Sequence, residues 1–228
     1  MKKILIFLTM LIFASCTSKI VIKISKTQET FLDLDIKPSD STKKIVKSLY
    51  SMSKDGQEDT QDKTLENVVL EGGIEIVSFK MNQNFGASAK VKFLTNSKEI
   101  DSQIFNVKKE NALILSLNKE KLKSIFSGIG EEAKGYLELL MAPSMQENDM
   151  STSEYMSLIA SSYGKKVAGE LKNSRVELHI EVPNKIKNVS ISPKSEYSIN
   201  DNVLELSLPL IHLLVMEEPI LINVEYPN

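Results

Sequence analysis

The chain has 228 residues, 42% apolar and 25% charged, which excludes disordered, collagen-like and multi-span membrane classes. One cysteine excludes a disulfide framework, and with only two histidines beside it no metal site or cofactor is expected. The net charge of −2 offers no basic field for nucleic acid, and Arg175, the lone arginine among 28 basic residues, disfavours binding through many bidentate phosphate contacts.

Met1-Lys2-Lys3 is a short positive start, and Ile4 to Ala14 is an apolar run broken only by Thr9. Crossing a bilayer takes about 20 apolar residues, so this reads as a signal-peptide core and not as a membrane helix. Phe13-Ala14-Ser15-Cys16 then places small residues before a cysteine. The pattern resembles the bacterial lipoprotein lipobox in the relaxed form of spirochaetes, with Phe13 where leucine is usual. The resemblance implies removal of residues 1–15 and attachment of acyl chains such as palmitate to Cys16, the new N-terminus. Two or three chains anchor permanently where one is marginal. Losing Lys2 and Lys3 leaves 26 basic against 30 acidic side chains, a net −4, so attraction of the whole chain to anionic lipid is not the anchor. Only Thr17 and Ser18 precede the first strand-like residue, Lys19. That reach is about 10 Å, and the domain is expected to sit against the headgroups.

Lys19–Ser25 and Thr30–Lys37 alternate apolar and polar residues with period two, which predicts a hairpin turned near Lys26 to Gln28. Beyond Pro38, Ile45, Val46, Leu49 and Tyr50 recur at helical spacing, and Asp55 to Lys63 reads as a polar loop. Strands are expected at Ile74–Lys80, Phe85–Phe93, Phe105–Val107 and Ala112–Leu117. Asn118 is a candidate N-cap for a helix carrying Leu122, Ile125, Phe126 and Ile129, and Glu131–Ala142 reads as a second helix. Ser151-Thr152-Ser153-Glu154 is a capping box. One helical stripe follows through Tyr155, Leu158, Ile159, Tyr163, Val167 and Leu171, with a small-residue ridge of Ser157, Ser161, Gly164 and Ala168 beside it. Val176–Val182, Ile186–Ser192, Val203–Leu208 and Ile220–Tyr226 read as strands, and Pro209–Met216 as a short helix or a covering loop.

Strands, then helices, then strands make an α+β fold: antiparallel sheets built from hairpins, helices on one face, and a helical insertion at about 118–173 within a single domain, 16–228. The opening hairpin, the run Val176 to Ile186 and the Asn200-Asp201-Asn202 turn together resemble the LppM-type domain of bacterial lipoproteins, although Asn184 stands where glycine is usual. Leu139 to Tyr155 resembles uncharacterised spirochaete lipoproteins. The resemblance implies an anchored envelope module and carries no catalytic motif.

No nucleophile elbow, zinc-protease or P-loop pattern is present. The four Ser-x-x-Lys matches are close to the about three that chance gives for so many serines and lysines. His179, between Glu177 and Glu181, reads as part of a solvated strand face, and His212 as a satisfied or half-exposed histidine in an apolar run. Asp33 and Asp35 share a strand face, with Lys23 expected across the hairpin. Met141, Met145, Met150, Tyr155 and Tyr163 either form an adaptable apolar surface for a ligand or fill the core. These features lead to a non-catalytic envelope lipoprotein anchored to the membrane through Cys16 and holding a lipid or other apolar ligand. The alternative is an assembly subunit that docks on another envelope protein through the helical insertion.

Overall fold

The computed structural model describes residues 17–27, 29–37, 40, 43, 63–70, 74–81, 87–93, 105–108, 111–121 and 150–227. The leader, Cys16, the helix expected around 45–50, the helices expected between 122 and 142, Met141 and Met145 lie outside the described residues. The described strands are β1 (Thr17–Ile24), β2 (Thr30–Lys37), β3 (Lys63–Leu70), β4 (Ile74–Met81), β5 (Ala87–Phe93), β6 (Phe105–Lys108) and β7 (Ala112–Leu117), followed by β8 (Arg175–Glu181), β9 (Asn188–Ser192), β10 (Glu196–Asn200), β11 (Val203–Pro209) and β12 (Ile220–Glu225). Helices α1 (Thr152–Tyr163) and α2 (Lys165–Asn173) precede β8, and α3 (Leu210–Val215) joins β11 to β12.

The opening hairpin forms because both strands alternate and the turn closes itself. Ser25 N–H donates to the Glu29 carbonyl at 2.9 Å, and the Ser25 hydroxyl accepts Glu29 N–H at 3.0 Å. Eight strands make the larger sheet in the order β10-β11-β8-β1-β2-β5-β4-β3. Its pairs are antiparallel except β1 with β8, which run parallel, so this sheet is mixed and corrects the expectation of purely antiparallel hairpins. The physical reason is sequence separation. A hairpin turn can only return a strand antiparallel, whereas β8 reaches the free edge of β1 after the whole intervening chain and is not bound by that rule. The smaller sheet, β6-β7-β12-β9, is antiparallel throughout.

One face of the larger sheet is apolar. Ile22 and Ile24 of β1, Leu178 and Ile180 of β8, Leu204 and Leu206 of β11, and Leu32 and Leu34 of β2 are buried. They join one cluster with Leu113, Ile222 and Val224 of the smaller sheet and with Tyr155, Ile159, Ala168, Leu214 and Val215 of the helices. Full burial of a Leu or Ile stabilises by about 1.5–3 kcal/mol, so this shared cluster is what joins sheets and helices.

Two strands went unread in the sequence. In β3 the run Glu66-Asn67-Val68-Val69 breaks the alternation. In β10 every residue is exposed, so the edge strand has no buried row to set a pattern. The helical stripe is also not one helix. Gly164, at φ +91°, ends α1 and begins α2. The expected ridge packs only at Ala168, which is buried in the core: Ser157, Ser161 and Gly164 are exposed, and both hydroxyls donate back to helix carbonyls, Ser157 to Ser153 and Ser161 to Leu158.

Candidate functional site

The N-terminal strand defines one end of the fold. Thr17 opens β1, and β1 is a central strand paired on both sides. The register places Thr17 opposite Lys37, the last residue of β2, and beside Arg175, the first of β8. Pro209, at the end of β11, faces Arg175 in turn. The sheet end next to Cys16 in the chain therefore carries the only arginine of the protein.

Arg175 is held there by the C-terminus of α2. Its Nη1 donates to the carbonyls of Lys172 and Ser174, both at 3.1 Å. The last carbonyls of a helix lack intrahelical partners and carry partial negative charge, which suits a cation. Ser174 is itself buried: its hydroxyl donates to Glu170 O at 2.8 Å and its carbonyl accepts Leu210 N–H at 3.0 Å, tying α2 to α3. Nε and Nη2 of Arg175 have no partner among the described residues, and neither Arg175 nor Lys172 is paired with a carboxylate there. Lys37 is paired with Asp35 at 2.8 Å.

Of the residues read as an apolar ligand surface, Met150, Tyr155 and Tyr163 are described, and all three belong to the side of the core formed by α1. Tyr155 is 2% exposed, so it presents no surface in this state. Burial, with Tyr163 nearby, holds its phenol far above the usual range. Met150 and Tyr163 are half-buried against the core, and Leu158 on α1 is an exposed large apolar side chain. The capping box forms as read: Glu154 N–H donates to the Ser151 hydroxyl and Ser151 N–H to the Glu154 carboxylate. The Ser151 hydroxyl also donates to the Glu154 carboxylate at 2.7 Å, and that bond, with the one from Ser151 N–H, holds the carboxylate below its ordinary range. Glu217, beyond α3, accepts Thr152 N–H at the same helix start.

The outer face of the larger sheet carries charge in columns. Glu177 and Glu181 lie on β8, Lys19 and Lys23 on β1, Asp33 and Asp35 on β2, Lys90 and Lys92 on β5. Successive strands alternate in sign, and cross-strand opposite charges favour this register. The three groups around His179 do not converge: Glu177 accepts from Ser207 at 2.8 Å, Glu181 pairs with Lys23 at 2.8 Å, and His179 Nδ1 lies 3.5 Å from Glu205. Lys23 thus serves β8 and not the aspartates of β2, because the register sets it opposite Phe31; Asp33 lies 3.9 Å from Lys90. Lys92 bonds Glu29 at 2.8 Å, which lowers that carboxyl and raises its own ammonium. Among the described residues no group of three His, Cys, Asp or Glu could hold a metal ion, and no helix is long and apolar enough to cross a membrane.

Sequence reasoning missed the place of Arg175, whose signal is the register between strands far apart in the chain. It also missed buried polar atoms without hydrogen-bond partners among the described residues, the Tyr226 hydroxyl and His212 Nδ1 being two of them. Period two put Tyr226 in the inward row of the last strand, but nothing in the sequence shows that its hydroxyl lacks a partner.

No known protein family matches the sequence, and no curated protein matches it. Among solved structures, the chain is similar to the folded domain of the Mycobacterium tuberculosis LppM protein, determined by NMR, with 10% identity over 94% of this chain and 92% of that one. The TM-score is 0.38, and a likeness of that strength transfers neither fold nor function.

Proposed function

We propose that the protein is a non-catalytic envelope lipoprotein, anchored by acyl chains on Cys16, whose domain holds a lipid or other apolar ligand beside the membrane. The observation that carries the anchored reading is the start of β1 at Thr17, the residue that follows the lipobox cysteine, which leaves no tether between strand and cysteine. The apolar-ligand reading is supported by the half-buried Met150 and Tyr163 beside exposed Leu158, a side of the core where adaptable side chains lie near the surface. Intact-mass analysis of protein extracted in mild detergent tests the anchor. A diacylated Cys16 N-terminus is expected, and a bare cysteine or a retained leader refutes it. Native mass spectrometry of the same material tests the ligand: a bound lipid mass is expected, and a clean apo mass removes that part of the reading.

The docking alternative is favoured by one observation, the exposed Leu158 on α1. Leu158→Lys leaves an isolated protein intact and releases a docked partner, so crosslinked cells distinguish the two readings.

A further inference from the structure

Resting on the anchored reading, we infer that the sheet end bearing Thr17 and Arg175 faces the lipid headgroups, and that Arg175 with Lys172 contacts the phosphates of net anionic phospholipids there. Consecutive Cα atoms are about 3.8 Å apart and paired strands about 4.8 Å apart, which puts the Arg175 backbone within about 9 Å of the acylated residue. The acyl chains of Cys16 lie in the bilayer, so whatever meets this end shares the headgroup layer. The two cationic side chains are chemically suited to it. Arg175 is fixed by its two bonds to the end of α2, and Nε and Nη2 have no partner among the described residues. Lys172, one turn earlier, is exposed. A guanidinium with two open donor sites matches a phosphate oxygen pair. Lys26, in the turn beyond the opposite end of β1, lies about 25 Å away across an eight-residue strand, well beyond a Debye length of about 8 Å. The contact is local, which reconciles it with the negative charge of the whole chain.

The test uses the full lipidated protein reconstituted in vesicles. With Cys16 acylated, a cysteine introduced by Asn173→Cys or by Lys26→Cys is the only free thiol, and both positions are exposed. A fluorophore at 173 is expected to be quenched by headgroup spin labels, and one at 26 is not; equal or reversed quenching overturns the orientation. The phosphate contact is read from unfolding midpoints in phosphatidylglycerol and phosphatidylcholine vesicles, since a ligand that binds only the folded state raises the midpoint. A higher midpoint in phosphatidylglycerol is expected for the native chain, and its loss for Arg175→Gln with Lys172→Gln. A difference that persists in the double variant, or that is absent from the native chain, overturns the contact. The comparison is made within each variant, so any loss of basal stability cancels. Intact mass is taken on every sample. A bare Cys16 overturns the anchored reading itself, whereas acylated protein with the wrong orientation overturns only this inference.

Discussion

Two glycines five residues apart are expected to respond to alanine with opposite signs. Gly164, between α1 and α2, has φ +91° and ψ 158°, a region that essentially only glycine occupies. A Cβ there meets nothing within 4 Å, so Gly164→Ala costs no steric contact and only the backbone term, about 1–3 kcal/mol. Gly169 lies inside α2, is exposed, and also has nothing within 4 Å of an added Cβ. Gly169→Ala is therefore expected to stabilise by about 0.5–1 kcal/mol, the helix-interior difference between the two residues. Were the segment one continuous helix, both changes would stabilise. Urea unfolding followed by circular dichroism measures each, with the m-value unchanged if two-state behaviour holds. A stabilising Gly164→Ala refutes the break, and with it the separate placement of α1 and α2.

Tyr226→Phe is expected to leave stability unchanged or raise it by up to about 1–3 kcal/mol, because the buried hydroxyl has no hydrogen-bond partner among the described residues to lose; a loss in thermal unfolding would show that the hydroxyl is satisfied. Ser151→Ala removes the α1 cap and is expected to cost about 1 kcal/mol by chemical denaturation. The Glu154 carboxylate is held below its ordinary range, so its contribution is present above the unfolded pKa and lost as pH falls through the folded one. Glu154→Gln should therefore flatten the acid limb of the stability profile, and an unchanged limb refutes the assignment. Ile180→Ala, at a fully buried position of β8, is expected to cost about 2–5 kcal/mol in the same denaturation assay, and a cost under about 1 kcal/mol would deny that the sheet is the core.

Where burial is one-sided, the sequence was readable. β2 runs Thr30–Lys37 as the alternation predicts, and β12 follows the same rule, because each has one row in the core and the other more open to solvent. β10 lacks that asymmetry: Tyr197 and Ile199 sit in register with buried Leu206 and Leu204 yet stay exposed at the sheet edge. Gly164 fits helical spacing as well as any small residue does, and only its positive φ reveals a break. The candidate site was less legible than the fold. Composition singled out Arg175 as the lone arginine, but its nearness to Thr17 comes from a parallel pairing across 158 positions, and nothing local encodes such a pairing. The Met and Tyr set was visible as apolar residues near α1, while the burial of Tyr155 is a tertiary fact.

The place of β1 also decides what the anchor can do. If Cys16 were followed by a loose tail, lengthening it would change little. Here the next residue starts a strand with partners on both sides, and Ile22 and Ile24 lie in the core. Inserting ten Gly/Ser residues between Cys16 and Thr17 should leave the unfolding midpoint in detergent unchanged, since no ladder is broken. The inserted chain has a root-mean-square span of about 17 Å, beyond the Debye length of about 8 Å in physiological salt. In the native chain the covalent link keeps residue 173 near the headgroups, so its quenching should survive about 1 M salt, where the Debye length shrinks to about 3 Å. In the lengthened chain only charge holds the domain down, and the same salt should abolish the quenching. If salt acts equally on both chains, proximity is not set by the absent tether, and the start of β1 loses its functional meaning.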